Sequence, residues 1–263
     1  MDTLARPVAA ASEADLERRF GGLRRLYGDA GYARIRTARF AVIGLGGVGS
    51  WCAEALARSG VASITLIDFD QVAESNINRQ VQALGTTIGQ SKVRSLRERI
   101  ADIHPGCEVI GVEEFVDESN WPALLRQPVD AIIDACDQVR AKAVVAAWAL
   151  QTRSALVIVG AAGGRRKPQA VQVEDLGLVT HDPLLASLRQ RLRKHFGAAR
   201  SGCLGLRCVF SREAVATPDE ALGVDAARDG SLNCHGYGSS VGVTATFGMV
   251  AASLAIESAV SQE

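Results

Sequence analysis

Short apolar runs alternate with amphipathic segments along the first part of the chain. The apolar runs occupy residues 40–43, 63–67, 107–112, 130–134 and 156–159. Residues 50–59, 91–103 and 139–151 carry apolar side chains at helical spacing, and 119–126 predicts a short helix capped by Ser119. Buried runs joined by amphipathic helices are typical of parallel strands with right-handed crossovers. The pattern therefore predicts an α/β fold of the Rossmann-like, doubly wound kind with a mainly parallel sheet.

The amino-terminal segment and the later part of the chain follow other patterns. Residues 1–11 are Ala-rich without periodicity, which predicts a flexible tail. A helix is expected from Ser12 onward, with an inward face that consists of Leu16, Phe20, Leu23 and Leu26. Alternation over 169–173 predicts an antiparallel C-terminal appendage. Asp182, as N-cap before Pro183, predicts a further helix, and the polar stretch 217–231 predicts a surface loop.

Residues 241–256 are apolar and carry no charge. The segment falls just short of a bilayer span, so we expect a buried helix or a dimer-interface helix and no integral membrane span. Peripheral association with a membrane through this segment stays open.

A glycine-rich turn follows the first predicted strand, in the sequence Gly44-Leu-Gly46-Gly47-Val-Gly49-Ser50. Glycines let the backbone turn tightly and approach a phosphate, and a helix that begins there directs free N–H groups and its positive dipole end at that anion. This motif alone also fits a dinucleotide dehydrogenase or a non-catalytic nucleotide-binding module.

Acidic and cationic residues crowd behind the second predicted strand. Asp68 has the spacing of a ribose-binding acid, and Asp70, Asn76 and Arg79 follow within one short segment. An enzyme that transfers hydride has no evident need for a second Asp and an Arg there. An enzyme that cleaves a phosphoanhydride needs both, because a carboxylate holds Mg²⁺ or ribose and a cation stabilises the negative charge that develops on the phosphate.

These motifs together resemble the E1-like adenylating enzymes, the superfamily of MoeB, ThiF and the ubiquitin-activating enzymes. The resemblance rests on Gly44–Ser50, Ile67-Asp-Phe-Asp70, Ser75-Asn-Ile-Asn-Arg-Gln80, Gly89-Gln-Ser-Lys92 and Asp134-Ala-Cys-Asp137. Residues 19–27, 182–184, 208–211 and 243–248 are similar to the tRNA threonylcarbamoyladenosine dehydratase branch. The likeness extends from about residue 16 to about residue 255. It implies one ThiF-type domain over 12–260, with a nucleotide-binding half (12–165) and a half for substrate and dimer contacts (166–260).

The resemblance implies a site for ATP and Mg²⁺. The residues that would contact the nucleotide are Gly44, Gly46, Gly47, Gly49, Asp68, Asp70, Asn76, Arg79, Lys92 and Asp137. Arg79, Lys92 and Asp137 would be catalytic, and Asp137 would face the metal. The implied reaction is ATP-dependent dehydration of threonylcarbamoyladenosine 37 in tRNA through an acyl-adenylate. The alternative is adenylation of the C-terminal glycine of a small sulfur-carrier protein.

Charge is balanced overall, with 29 basic and 29 acidic residues, so no global field attracts nucleic acid. Between Asp182 and Glu213, however, there is no acid. The basic residues predicted there to contact RNA phosphates are Arg189, Arg191, Arg193, Lys194 and Arg200. The loop 165–167 would extend this patch. A one-signed run of this kind is otherwise simply a solvated face.

Six cysteines without any C-x-x-C pair predict free thiols in the cytoplasm and no structural zinc. Cys234 lies in a Gly-rich segment and is expected to be a packed thiol more often than a reactive one. From the resemblance we also expect a homodimer, in which Arg19 is the nearest match to an arginine that reaches the partner's nucleotide. A monovalent cation and a sulfur-transfer partner remain open.

Overall fold

The computed structural model describes residues 15–216 and 237–261. A single mixed sheet lies at its centre. Its strands are β1 (Arg39–Ile43), β2 (Ser63–Ile67), β3 (Glu108–Val112), β4 (Ala131–Asp134), β5 (Leu156–Val159), β6 (Val171–Asp175) and β7 (Arg207–Ser211). The helices are α1 (Leu16–Phe20), α2 (Gly22–Thr37), α3 (Gly49–Arg58), α4 (Lys92–Ile103), α5 (Val139–Thr152), α6 (Pro183–His195) and α7 (Val241–Val260). Two short 3₁₀ helices cover Glu74–Asn76 and Pro168–Ala170.

The sheet has the strand order β3-β2-β1-β4-β5-β7-β6. All neighbouring strands are parallel except β6 and β7, which pair antiparallel. The prediction of a doubly wound, mainly parallel sheet with an antiparallel appendage is therefore confirmed. From β1 the chain builds outward to β2 and β3, then returns to the other side of β1 for β4 and β5. This reversal opens a crevice between the carboxyl ends of β1 and β4.

Alternating strand residues form two separate cores on the two faces of the sheet. Phe40 and Val42 contribute to the core that includes helices α3, α4 and α7. Ala41 and Ile43 contribute to the core that includes α5 and α6. Burial on both faces explains why these strands read as uninterrupted apolar runs rather than as alternating ones.

Helix α7 packs against α3, α2 and strands β4, β5 and β7. At Gly248 a Cβ atom would lie 2.5 Å from the Val48 carbonyl oxygen, so only glycine allows α7 to approach α3 this closely. The helix has 20 residues rather than the predicted 16 and is therefore long and apolar enough to cross a bilayer. More than half of its most apolar stretch is nevertheless buried inside the protein. Its packing is thus that of a core helix, as expected.

Two other local predictions were wrong. Residues 119–126 form turns instead of a helix: the Asp117 carboxylate caps a first turn by accepting the Ser119 and Asn120 N–H groups at 2.7 and 3.1 Å, but Pro122 disfavours the helical conformation of the residue before it. The first helix ends at Phe20 and α2 follows after Gly21, so Leu26 is 72 % exposed instead of facing inward.

The amino-terminal helices are attached to the end of α4 through His104. Its Nε2 atom lies 3.1 Å from an Arg36 guanidinium nitrogen, and Phe20 packs on the imidazole with a centroid distance of 4.7 Å. Burial, followed by the charges of Arg36 and Arg19, lowers the pKa of His104 below its ordinary value of 6.5. The imidazole is therefore neutral at pH 7.

This contact predicts an acid-sensitive loss of stability. The unfolded chain takes up the His104 proton near pH 6.5, before the folded chain does, so the free energy of unfolding falls as pH drops through that value and is at its full level above it. We expect denaturant unfolding at about pH 7.5 and about pH 5.5 to show a smaller difference for His104→Gln than for the wild type. An equal difference in the two proteins would contradict the role of His104.

Candidate active site

Loops at the carboxyl edge of the sheet enclose a cavity of about 540 Å³. The loops that follow β2, β1, β4 and β5 all contribute to its lining. The cavity therefore spans the crevice where the strand order reverses, which is the usual ligand position in open α/β sheets.

The glycine loop after β1 packs against the turn after β4. Gly44 has φ +83°, and a Cβ atom there would lie 2.7 Å from the Cys136 nitrogen. At Gly49 a Cβ atom would lie 1.8 Å from the Gly44 carbonyl oxygen. A side chain at Gly46, by contrast, would meet no atom within 4 Å, because this residue faces the cavity. Glycine is thus needed at Gly44 and Gly49 for packing and at Gly46 to leave the cavity open.

The same loop presents unpaired N–H groups to the cavity. Within residues 15–216 and 237–261, the backbone nitrogens of Gly46, Gly47 and Val48 have no hydrogen-bond acceptor. Helix α3 follows at once, and its N-cap Val48 has no side chain that could satisfy the first turn. An anion in the cavity would meet these donors and the positive end of the helix dipole.

Lys92 forms the centre of a charge cluster with Asp68 and Asp70. Its ammonium nitrogen lies 2.7 Å from Asp70 Oδ2 and 3.8 Å from Asp68 Oδ1. The Asp68 carboxylate also accepts hydrogen bonds from the Leu45 and Asp70 N–H groups, at 2.6 and 2.8 Å. Burial raises the pKa of Asp68, while Lys92 and these two donors oppose the shift. The bonds hold the first acid in a single position and leave the more exposed Asp70 free to exchange its partner.

Asn76 and Arg79 lie on the segment that leads from β2 towards α4, and both line the cavity. Asn76 Oδ1 accepts the Ala73 N–H at 3.1 Å and so closes the 3₁₀ turn. The Arg79 guanidinium donates to the Ser75 carbonyl at 2.7 Å. The Arg79 backbone carbonyl accepts the Trp51 indole N–H at 2.9 Å, which fixes this segment to α3. Arg79 is therefore held at its backbone, while its cationic group is half-buried at the cavity wall.

Asp137 lies at the end of β4 and lines the cavity with an exposed carboxylate. It could have served as the N-cap of α5, but the N-cap is Gln138, without any side-chain cap bond. Among the described residues the Asp137 carboxylate has no hydrogen bond or ion pair. Neighbouring Cys136 has its pKa raised well above the ordinary value by burial and by Asp134, so its thiol is protonated.

On the β5 side of the cavity, the lining residues that the structure describes are uncharged, and Asp182 holds them in place. The lining residues on this side are Gly160, Ala161, Ala162, Gly163 and Leu184. The Asp182 carboxylate accepts the Ala161 and Leu185 N–H groups, both at 3.0 Å, and forms an ion pair of 3.6 Å with Arg165. At Gly160 a Cβ atom would lie 2.3 Å from that carboxylate. Asp182 thus positions the loop and caps α6 at the same time.

The prediction that Arg165 belongs to an RNA-binding patch was wrong. The side chain is 2 % exposed and donates to the carbonyl groups of Ala161, His181 and Glu213. Burial lowers its pKa, and the charge of Asp182 opposes that shift. Arg165 is therefore a structural cation that fixes the loop after β5.

An aromatic pair at the cavity edge was missed by the sequence analysis. Phe69 and Phe115 are 59 % and 52 % exposed, and their ring centroids lie 4.9 Å apart. Both line the cavity together with Glu114. The position of Phe69 between Asp68 and Asp70 was a signal for the first ring. Phe115 lies after β3 and has no local signal.

The predicted RNA-binding residues lie outside the cavity, on α6 and just beyond it. Arg189 donates to the Leu176 and Val179 carbonyls at 3.0 and 2.8 Å, and Arg193 donates to the Ala199 carbonyl at 3.0 Å. Arg191 is half-buried, whereas Lys194 and Arg200 are exposed. Two residues of the run thus have structural contacts, and two project into solvent.

Known proteins resemble this chain in sequence and in structure. The model of the ThiF family matches residues 19–260. The chain belongs to the ThiF family.

Two relatives and one solved structure show how far the likeness extends. The tRNA threonylcarbamoyladenosine dehydratase of Escherichia coli (strain K12) is 42 % identical over 247 residues, which cover 91 % of this chain and 92 % of that protein. The structure of the E. coli enzyme TcdA in complex with ATP superimposes with a TM-score of 0.83 at 41 % identity, over 94 % of this chain and 96 % of that one. The molybdopterin-synthase adenylyltransferase of E. coli is 35 % identical over 109 residues, or 41 % of this chain and 43 % of that protein.

The cavity of this ThiF-family chain offers one carboxylate, Asp137, that fits a metal bound together with a nucleotide. Among residues 15–216 and 237–261, no three His, Cys, Asp or Glu side chains are grouped as ligands. Mg²⁺ takes one or two carboxylates, waters and phosphate oxygens, and the unpaired Asp137 carboxylate fits such a partial set. The absence of zinc stays a prediction, and Cys234 and the loop 217–231 lie outside the described residues.

Two glycines of the loop provide a matched test of this geometry. Gly49→Ala would force a Cβ atom against the Gly44 carbonyl, so we expect a loss of about 1–3 kcal/mol in the free energy of unfolding. Gly46→Ala would project into open space and should stay within about 0.5 kcal/mol of the wild type. Denaturant titration of both variants measures the difference, and equal stabilities would contradict the packing described above.

Proposed function

We propose that this protein uses ATP to dehydrate threonylcarbamoyladenosine 37 of tRNA through an acyl-adenylate. The observation that carries the proposal is one cavity lined by two cations, Arg79 and Lys92, by the Asp137 carboxylate and by a glycine loop with open N–H donors. The substrate follows from the family branch whose members resemble this chain over nearly its whole length. In this proposal residues 12–165 form the nucleotide-binding half, and residues 166–260 form the substrate half.

ATP would lie along the carboxyl edge of the sheet from β3 towards β4. Asp68, which two backbone N–H groups hold in place, accepts hydrogen bonds from the ribose hydroxyls. The Phe69–Phe115 pair provides an apolar surface for adenine. The α-phosphate then meets the free N–H groups of Gly46 and Gly47. Asn76 fixes the turn that directs Arg79 at the β- and γ-phosphates.

The cations act where negative charge develops. As the substrate carboxylate attacks the α-phosphorus, charge accumulates on the departing pyrophosphate, and Arg79 and Lys92 stabilise it. Lys92 exchanges its contact with the half-exposed Asp70 for one with a phosphate, while Asp68 retains its own position. Mg²⁺, when present, neutralises phosphate charge, and Asp137 is the residue that would hold it.

The acyl side of the substrate would enter over the uncharged loop 160–163. Among the described residues no charged side chain lines that end of the cavity, so a substrate carboxylate there would meet no cation from them. Attack by the carbamoyl group on the acyl-adenylate then displaces AMP and closes a five-membered ring, with net loss of one water. Because this nucleophile belongs to the substrate, the protonated thiol of Cys136 has no part in the reaction.

Adenylation of a sulfur-carrier protein is the alternative from the same family. Its relative, the molybdopterin-synthase adenylyltransferase, matches only 41 % of this chain, whereas the dehydratase match extends through the C-terminal half. The deciding experiment measures ATP–pyrophosphate exchange with threonylcarbamoylated tRNA or with a carrier protein, together with mass analysis of the tRNA nucleosides. Exchange that needs tRNA, with a product lighter by one water, supports the proposal. Exchange that needs the carrier overturns it.

The remaining parts of the assembly are proposed from the family. A tRNA substrate implies a cytoplasmic reaction, and we propose a homodimer with Mg²⁺ as the metal. Arg19 donates to the Asp102 and Ile103 carbonyls at 3.0 and 2.6 Å, so it caps α4 in the single chain and would have to leave that contact to reach a partner. A monovalent cation, a sulfur-transfer partner and membrane association have no support among the described contacts.

Removal of either cation should slow the reaction without unfolding the protein. Arg79→Ala and Lys92→Ala should each reduce tRNA-dependent AMP formation by about a hundredfold, because each removes charge stabilisation from the transition state. Arg94→Ala, an exposed residue of the same helix as Lys92, is the control and should keep the wild-type rate. Near-normal rates in both cation variants would show that the site is assigned incorrectly.

The basic run predicts two different outcomes within one segment. Lys194→Ala and Arg200→Ala should weaken tRNA binding and lower its salt slope by about 1 each, without change in ATP affinity. Arg189→Ala removes two hydrogen bonds to backbone carbonyls and should instead lower the melting temperature. Filter binding across a salt series distinguishes the two effects. Unchanged tRNA affinity at low salt in the double variant would remove α6 from the interface.

A further inference from the structure

An ion pair without any contact with solvent lies beneath the cavity. The ammonium group of Lys142, on α5, is 3.2 Å from Asp134 Oδ1 and donates to the Asp134 carbonyl at 3.0 Å. Both side chains are 0 % exposed. Burial opposes the charged form, but the charge of Asp134 and its hydrogen bond raise the pKa of Lys142, so the lysine stays charged.

A gain in folding stability does not explain why a buried ion pair lies at this position. Two charges lose their hydration when they are buried, and a well-packed apolar pair of similar volume often serves as well or better. One carboxylate oxygen of Asp134 has no hydrogen-bond partner among the described residues, which adds to the cost. The pair is therefore explained by what it holds in place.

The ion pair holds the turn that carries Asp137. Lys142 binds both the carbonyl and the carboxylate of Asp134, and the same carboxylate accepts the Cys136 N–H at 3.1 Å. On its other side this turn rests against Gly44, where no Cβ atom would fit. Asp137 has no side-chain partner of its own among the described residues, so a shift of the turn would move its carboxylate as well.

We infer that Lys142 and Asp134 are positioning residues that hold Asp137 at the nucleotide-borne Mg²⁺. The inference rests on the proposed function for the identity of the ligand. Loss of the pair would let the turn shift and would weaken the metal-dependent part of ATP binding. Partners that lie behind a metal ligand typically change metal affinity by about 10–100-fold when they are removed.

A variant that neutralises both charges tests the inference without leaving one buried charge alone. The double variant is Asp134→Asn/Lys142→Met. Calorimetry without tRNA measures its affinity for ATP, first with Mg²⁺ and then with excess EDTA. We expect about tenfold weaker binding with Mg²⁺ and unchanged binding in EDTA. The single variant Lys142→Arg, which retains the charge, should keep most of the wild-type affinity for ATP in the presence of Mg²⁺.

Combining these changes with a substitution at Asp137 distinguishes a positioning role from a general loss of structure. Asp137→Asn should reproduce the loss, and the triple variant should bind no more weakly than Asp137→Asn alone, because the pair acts through that carboxylate. Full additivity of the two effects would overturn the inference. A wild type that does not bind ATP at all would instead overturn the proposed function.

The salt bridges of Glu54 provide the control for stability. Glu54, 2 % exposed, bridges Arg58 and Arg99 at 2.8 and 2.6 Å between α3 and α4, outside the lining of the cavity. Glu54→Gln should lower the melting temperature and leave the Mg²⁺ dependence of ATP binding unchanged. Equal losses of that dependence in Glu54→Gln and in the pair-neutral variant would mean that the effect is merely structural.

Discussion

Contact between the glycine loop and the turn after β4 is the constraint on which the site depends. The Gly44 carbonyl occupies the space that a side chain at Gly49 would need, and Gly44 itself touches the backbone of Cys136. Both loops follow parallel strands that lie next to each other, β1 and β4, so their ends must share one narrow space. This crowding brings the N–H donors of α3 and the carboxylate of Asp137 to the same cavity, although about ninety positions separate them in the chain.

Charged side chains are concentrated on the β2 side of the cavity. On the β2 side, Asp68 is fixed by backbone donors, and Lys92 bridges it to the more exposed Asp70. On the β5 side, the buried acid Asp182 holds a lining in which the described residues bear no charge. In the proposed reaction this separation lets the cations stabilise the triphosphate without neutralising the attacking carboxylate.

The C-terminal half shows how one kind of residue has different roles. Arg165, Arg189, Lys194 and Arg200 all belong to basic stretches, but the first two donate to backbone carbonyls and the last two project into water. Guanidinium groups satisfy several carbonyls at once, so a folded chain can use them where its backbone leaves secondary structure. The density of basic residues in a segment is therefore a poor measure of the surface available to a phosphate.

Local patterns in the sequence determined the parallel strands, the glycine turn and the cluster Asp68–Asp70–Asn76–Arg79, because apolar periodicity and motif spacing are properties of neighbouring residues. Tertiary structure alone decided that β7 inserts between β5 and β6, that Phe115 joins Phe69 and that Arg165 is buried. Each of these depends on contact between distant segments and on the water that such contact removes. Residue spacing along the chain carries no information about either.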